Sequence, residues 1–176
     1  MELLHQFVPG TAPLGVLVNP TNPTLAESFW QDAQEAARTL GLQVHLLNAS
    51  TEHDIAAVLA TSAQQKTRAL VIGADGFFTS RIELLAQLTA KHAMPTICSY
   101  REFPASGGLI SYGTNVIDAY RQVGVYTGKV LKGEKPADLP VMRPTKFELV
   151  INLGSAKALN LTIPPAVLAV ADEVIE

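Results

Sequence analysis

The sequence predicts an α/β protein in which a parallel sheet is covered by helices on both faces. Short apolar segments alternate with longer segments of helical periodicity along most of the chain, as in repeated βα units. The short segments, such as LGVLV at 14–18, are apolar at nearly every position, which is typical of strands buried on both faces. Crossovers between such strands are right-handed, so the expected architecture is a Rossmann-like sheet.

The first βα unit has the clearest boundaries. Its strand, 14–18, stops abruptly at Asn19-Pro20-Thr21-Asn22-Pro23, and helical spacing of apolar residues begins at 25 and continues to 40. Thr24 is the expected N-cap, with Glu27 in capping-box position. Gly41 is the expected residue just after the helix.

Later elements follow the same alternation. The predicted order is strand 43–47, a helix that opens after the cap cluster 48–51, strand 69–72, helix 80–91, strand 95–98, strand 109–112 and helix 117–131. A short helix is also predicted at 2–7. After a Pro-rich connector, the tail is expected to form a strand at 146–152, a short helix at 155–161 and a helical segment from Pro164 to Glu176.

Composition restricts the class of function. With 48% hydrophobic and 16% charged residues, the chain has the composition of a folded domain. A net charge of −3 without a Lys/Arg cluster argues against nucleic acid as a partner. The single cysteine, Cys98, excludes an internal disulfide, and the four scattered histidines lack metal-ligand spacing, so no metal site is predicted. No apolar run reaches the roughly 18 residues of a membrane span.

Polar or turn-forming residues follow four of the five strands, at 19–22, 73–76, 99–102 and 113–115. The carboxyl ends of parallel strands meet at one edge of a sheet, where such folds bind small ligands. We therefore expect a ligand site there. The alternative is that these loops are polar only because loops are solvated and helices need caps, and Thr24, Ser50 and Thr79 are assigned to capping.

Asp75 and several aromatic residues are the strongest candidates at this edge. Asp75 could bind a ligand ammonium or hydroxyl group, or it could cap the helix that follows. One ring of Phe77 and Phe78 could stack on a ligand while the other joins the core. The complete predicted ligand-binding set is Asn19, Thr21, Asn22, Asp75, Phe77, Ser99, Tyr100, Tyr112 and Asn115.

Nothing at this edge predicts catalysis. An enzyme site needs a nucleophile, a base and an orienting group within reach of one another, yet no histidine lies at these strand ends. The sequence also lacks a GxSxG motif, a Walker P-loop and a GxGxxG motif after the first strand. We therefore predict no catalytic residues and no cofactor.

Four segments are distinctive as sequences: LGVLVNPTNP at 14–23, LVIGADGFFTSR at 70–81, GGLISYGTN at 107–115 and the tail 144–176. Together they resemble the ABC-transporter substrate-binding protein family, and more narrowly its tryptophan- and tyrosine-binding lipoproteins. The tail is the most specific of them. It departs from the family at Gly154-Ser155, where Lys-Thr is usual, and at Asn160, where Gly is usual, and both differences concern turns.

The resemblance implies one lobe of a type I periplasmic-binding-protein fold. Members have two Rossmann-like lobes with the ligand between them, and a secretion signal or lipobox at the start. Residues 1–176 correspond to the second lobe only, so the sequence looks truncated and the lobe alone is expected to bind ligand weakly or not at all. A full-length relative would be periplasmic or lipid-anchored and would dock on an ABC permease. The chain as given, without a signal peptide, is expected to be cytoplasmic.

The resemblance also implies a role for the helix near 116–135, which would pack on the first lobe. Hinge segments are expected near 10–13, 112–115 and 140–144. Without the first lobe, Val123, Val125, Tyr126, Val130 and Leu131 should be exposed, or buried against another copy. We therefore predict a homodimer through helix 116–131. Two copies could form it by exchanging this helix, or by exchanging the tail at 145–176, which is expected to contain a strand and helices.

The predicted function is that of a solute-binding component of an ABC importer, or its isolated C-terminal lobe, which binds an amino-acid-like or small organic ligand. One alternative is an intracellular ligand-sensing module of the same fold, which predicts an oligomeric state that changes with ligand. Another is a small α/β enzyme, which predicts turnover and a deep pocket within the single lobe.

Overall fold

The fold is built on one sheet of seven strands. It was described from a computed structural model that covers residues 1–8, 10 and 12–176; Pro9 and Thr11, the latter within a predicted hinge, lie outside the described residues. The strands are β1 (Leu14–Val18), β2 (Val44–Asn48), β3 (Ala69–Ile72), β4 (Thr96–Cys98), β5 (Ile110–Thr114), β6 (Phe147–Asn152) and β7 (Glu173–Ile175).

Helices connect most of these strands. They are α1 (Glu2–Phe7), α2 (Pro23–Leu40), α3 (Glu52–Gln64), α4 (Gly76–Thr79), α5 (Ile82–Lys91), α6 (Glu102–Ala105), α7 (Val116–Leu131), α8 (Leu153–Ala158) and α9 (Pro165–Leu168), with a 3-10 turn at Pro136–Asp138.

The strand order, β2-β1-β3-β4-β5-β6-β7, confirms the predicted α/β class and its parallel core. Strands β1 to β5 pair in parallel. Strand β6 then runs antiparallel to β5, with Tyr112 opposite Leu149, and β7 is parallel to β6. The carboxyl ends of β1 to β5 therefore lie at one edge of the sheet, together with the start of β6.

Helices cover both faces, as predicted. On one face, Ile55 of α3, Phe78 of α4 and Leu85 of α5 pack with Leu17 and Ile72 of the sheet. On the other face, α1, α8 and α9 pack over β3 to β6, and α2 packs over β1. This face is called the α1 face below. Burial of the strands on both sides explains why their sequences are apolar at nearly every position.

Several element boundaries differ from the predictions. The N-cap of α2 is Asn22, two residues before Thr24, because Pro23 has a fixed φ that suits the first helical position. Thr51, and not Ser50, caps α3, in a capping box with Asp54. The helix predicted at 80–91 begins two residues later, as α5, and its N-cap is Arg81. Thr79, which was assigned to capping, is instead the last residue of α4. The one-turn helices α4 and α6 were not predicted.

The C-terminal segment also differs from the prediction of helices to the end of the chain. The helix that starts at the two prolines lasts only from Pro165 to Leu168. Asp172 then accepts a hydrogen bond from the backbone N–H of Leu149 at 2.8 Å, and β7 adds to the edge of the sheet beside β6. Three strand residues are too few to show a period in the sequence, whereas an open sheet edge can bind them.

Helix α7 lies apart from this core. None of its residues, all of which the structure describes, is buried. Val123, Val125, Val130 and Leu131 are exposed as expected, and Leu131 is 82% exposed. Tyr126 is half-buried instead, and its hydroxyl donates to the carbonyl oxygen of Pro140 at 2.6 Å.

Candidate functional site

The centre of the candidate site is the carboxylate of Asp75, which joins the loops after β1 and β3. Its Oδ1 accepts hydrogen bonds from Asn19 Nδ2 and from the backbone N–H of Phe77, both at 2.9 Å. Its Oδ2 accepts from Asn22 Nδ2 at 3.2 Å. Asp75 is also the N-cap of α4. The capping role considered for Asp75 is therefore real, although the helix it caps is α4.

Asn19 is the buried link between this carboxylate and the β1 loop. Only 8% of it is exposed. While Nδ2 donates to Asp75, Oδ1 accepts from both the backbone N–H of Thr21 at 3.1 Å and its hydroxyl at 2.7 Å. Every polar atom of the Asn19 side chain thus has a partner, and the loop is held in one conformation.

Asn22 is the half-exposed link. As the N-cap residue of α2 it would usually accept a hydrogen bond from the first turn of the helix. In the described part of the chain, however, no side chain caps α2, because the Asn22 amide is turned towards Asp75. The 18-residue helix α2 therefore begins at this edge, and no side chain among the described residues caps the backbone N–H groups of its first turn.

The charge state of the centre follows from its partners. Burial acts to raise the pKa of Asp75, but the hydrogen bonds from Asn19, the Phe77 N–H and Asn22 act in the opposite direction and the net pKa is lowered. Asp75 is therefore ionised at neutral pH. An ionised carboxylate can only accept hydrogen bonds, which matches the three donors around it.

The predicted aromatic residues beside this centre have separate roles. Phe78 is fully buried in the core, whereas Phe77 is half-buried and has the guanidinium of Arg81 over its ring at 4.4 Å. The hydroxyl of Tyr100 lies 3.5 Å from the carbonyl oxygen of Asp75, to which it donates a long hydrogen bond. Tyr100 thereby connects the loop after β4 to the same centre.

Ser99 and Tyr112 lie on a different part of the edge. With α1 and Phe29 of α2 they line an apolar hollow of about 270 Å³ on the α1 face. Tyr112 was predicted at a strand end, but β5 continues to Thr114, so this ring projects from within the strand. It stacks on Phe147 of β6, with 5.8 Å between ring centroids.

Asn115 is occupied in holding α7. Its Oδ1 accepts from the backbone N–H of Asp118 at 2.6 Å as the N-cap of this helix. Its Nδ2 donates to the carboxylate of Glu148 in β6. Both ends of the amide therefore serve the junction between sheet and helix.

Phe29 and Phe147 were not predicted as site residues. Helical spacing puts Phe29 on one face of α2 with Ala33 and Ala37, and only the structure shows its ring beside the hollow. Phe147 reaches Tyr112 because β6 is antiparallel to β5. The alternation of KFELVIN could have placed Phe147 on the same face as Leu149, but not beside Tyr112.

Cys98, at the end of β4, has the role of a small buried hydrophobic residue. Burial, with a smaller contribution from the nearby Glu102, raises the pKa of its thiol to about 12, although the Tyr100 N–H contact opposes this. The thiol is therefore protonated at neutral pH and is not a nucleophile. Among the described residues, no group of three or more His, Cys, Asp or Glu side chains is arranged to hold a metal ion.

The fold is that of a periplasmic-binding-protein lobe, and comparison with known proteins supports this class. A family model described as ABC transporter substrate binding protein matches residues 1–175, so the chain belongs to this family. The family is a class of binding proteins and not a class of enzymes. In the described residues, no helix has both the length and the apolar character needed to cross a membrane.

Solved structures share the fold. A conserved domain protein from Vibrio cholerae O1 biovar eltor matches with a TM-score of 0.87 at 26% identity, over 98% of this chain and 58% of that one. An ABC domain from Streptococcus pneumonia in complex with L-Trp matches with a TM-score of 0.84 at 28% identity, over 99% of this chain and 58% of that one.

A curated relative is similar over the same extent. The tyrosine-binding protein of Clostridioides difficile (strain R20291) is 22% identical over 161 residues, which are 92% of this chain and 46% of the relative. The chain therefore spans about half the length of the proteins that it matches, which is consistent with a single lobe.

Proposed function

We propose that this chain forms one wall of the ligand cleft of an ABC importer's binding protein and that it binds an amino-acid-like ligand without catalysis. One observation carries the proposal: the Asp75 carboxylate ties the loops after β1 and β3 into a single polar surface at the carboxyl edge of the sheet. Such preorganised polar groups at this edge are the usual ligand sites of open α/β sheets.

The comparisons support the class of ligand. One structural neighbour is a complex with L-Trp, and one relative is a tyrosine-binding protein. We propose an aromatic amino acid for this chain as well. Thr21, Asn22 and Tyr100 would contact the ligand, Ser99 and Tyr112 would border it, and Asn19 and Asp75 would hold the contacting groups in place.

Helix α7 supports the proposal that this chain is one wall of a cleft and has a partner lobe. Its apolar side chains are exposed along its whole length, namely Val116, Ile117, Tyr120, Val123, Val125, Val130 and Leu131. An apolar surface of this kind marks an interaction site. We propose that α7 packs on a first lobe in a two-lobed polypeptide, and that in this chain by itself it pairs with a second copy. Such a two-lobed protein would act outside the cytoplasmic membrane and dock on an ABC permease.

An NMR titration tests the ligand proposal. Because a single wall buries only part of a ligand, we expect L-tryptophan to bind with a Kd in the millimolar range. The backbone amide signals of Asn19, Thr21, Asn22 and 74–77 should shift in a saturable way, while those of 66–68, at the opposite edge, should not. The proposal would be overturned if these signals did not move, or if shifts were confined to other surfaces.

A further inference from the structure

The carboxylate of Asp75 is poorly placed to contact a ligand itself. Both of its oxygens accept hydrogen bonds from within the chain, and only 9% of the residue is exposed. Among the described residues of this network, which are otherwise amides and a hydroxyl, the carboxylate is nevertheless the only charged group. Its effect on a ligand must therefore pass through the side chains that it orients.

This carboxylate fixes which end of each neighbouring amide faces outwards. Because an ionised carboxylate accepts and never donates, the NH2 groups of Asn19 and Asn22 must point to it, and their oxygens must point away. The oxygen of Asn19 is used internally by Thr21. The oxygen of Asn22 receives no hydrogen bond from the described residues, and it does not cap α2.

The ionised side chains around the network favour a cationic donor. Arg81 is paired with Glu52 at 3.1 Å and lies over the ring of Phe77. Arg101 is paired with Glu173 at 2.6 Å. These ion pairs leave the negative charge of Asp75 without a cationic partner in the described chain, directly behind the amide of Asn22. A positively charged donor is therefore attracted to the Asn22 oxygen more strongly than a neutral one.

We infer that Asp75 is a positioning residue, which turns Asn22 so that its Oδ1 accepts a hydrogen bond from a protonated amine of the ligand. This inference rests on the proposed function and adds the chemical group that the edge recognises. The ligand class is then a small molecule with a primary ammonium group, such as an α-amino acid. An otherwise identical acid without the amine should bind less well.

Two probes that differ only in the amine test the inference. L-tryptophan and indole-3-propionate share the indole ring and the carboxylate, and their Kd values can be measured by NMR titration of the same amide signals. For the unaltered chain we expect L-tryptophan to bind about tenfold more tightly, the ratio expected for one hydrogen bond to a charged group.

Three variants identify the residues responsible. Asn22→Ala removes the acceptor and should bring the ratio of the two Kd values to near one. Asp75→Asn keeps the shape but offers a donor to the neighbouring amides, so Asn22 is no longer fixed and the ratio should also fall. Asn48→Ala, an exposed asparagine at the end of β2 outside the network, should keep the tenfold preference.

The outcomes separate the two proposals. If neither probe shifts the signals of the unaltered chain, the proposed function fails. If both probes bind equally well to it, the proposed function stands and the amine inference is wrong. A tenfold preference that survives in Asn22→Ala also overturns the inference, and this variant, at a half-exposed loop position, decides the question even if Asp75→Asn does not fold.

Discussion

Ala93 and Asn160 both have a left-handed backbone conformation, which is unfavourable for a residue with a Cβ atom. Ala93, just after α5, has φ of +48°, and Asn160, just after α8, has φ of +54°. In both places the helix ends in a C-terminal turn, in which a backbone N–H beyond the helix donates back to a carbonyl of its last turn. Met94 N–H, for example, donates to the Thr89 carbonyl at 2.8 Å. This explains the departure from the family at Asn160, because asparagine is the residue after glycine that best tolerates such a turn.

Ala93→Gly should therefore stabilise the protein. Glycine adopts the left-handed region without steric cost, so we expect the free energy of unfolding to rise by about 1 kcal/mol. The matched substitution Ala90→Gly, at an exposed position inside α5, should lower it by about 1 kcal/mol. Chemical denaturation of the two variants checks this, and equal effects of the same sign would show that the turn is not strained.

Asp75 gives the fold a specific dependence on pH. Because its pKa is lowered in the folded state, its contribution to stability is complete above the ordinary aspartate value of 3.8 and is lost as the pH falls below that value through the lowered pKa. Asp75→Asn should cost about 2 kcal/mol near neutral pH, since it disrupts hydrogen bonds to a buried charge.

The difference in unfolding free energy between the unaltered chain and Asp75→Asn should then shrink in acid, where the carboxylate becomes protonated. Denaturation curves over a pH series measure it. Asp138→Asn, at an exposed position of the connector, should change stability little near neutral pH. A constant difference for Asp75→Asn at all pH values would contradict the role given to its charge.

At the scale of elements, β5 and the segment just after β4 approach each other closely at the carboxyl edge. A Cβ atom at Gly113 would overlap the backbone carbonyl of Ser99, whereas one at Gly128 in α7 would have no atom within 4 Å in the described structure. Gly113→Ala should therefore cost about 2 kcal/mol of stability through overpacking. Gly128→Ala should stabilise α7 by up to about 1 kcal/mol. Thermal unfolding of both variants compares them directly.

Helix α7 should determine the oligomeric state. We expect multi-angle light scattering to report a dimer at micromolar concentration, because exposed apolar helices associate. Val123→Glu should shift the mass to that of a monomer without lowering the melting temperature of the sheet core, since Val123 is 60% exposed. Val170→Glu, at a similarly exposed valine of the tail, should leave the dimer intact. A monomeric unaltered chain would end the dimer proposal.

For the whole molecule, the sequence predicts the elements that have a clear hydrophobic period. It does not predict very short elements or contacts between residues far apart in the chain. The apolar strands and the spacing of α2 and α7 are strong periodic signals, so the parallel sheet and its carboxyl edge were predicted correctly. The strand β7 and the helix α6 are too short to show a period. The bonds of Asp75 to Asn19 and Asn22 join positions more than 50 residues apart, and no local pattern reports such pairs.

The same reasoning explains which features of the candidate site could be predicted from the sequence. Residues on neighbouring loops, such as Asn19, Asp75 and Tyr100, were correctly expected to lie together because parallel strands end at one edge. The hydrogen-bonding role of each residue could not be predicted, since it depends on which donor reaches which acceptor. The roles of Asn115 and Tyr112 also depend on β6, whose antiparallel direction is set by its partner strand and not by its own sequence.

A crystal structure of this chain grown with a high concentration of L-tryptophan tests the central claim most directly. The account predicts the amino acid at the carboxyl edge of the sheet, with its amine within hydrogen-bond distance of Asn22 Oδ1 and the Asp75 carboxylate still bonded to Asn19. A ligand bound at the opposite edge, or an amine placed directly on Asp75 with Asn19 and Asn22 released, would contradict it.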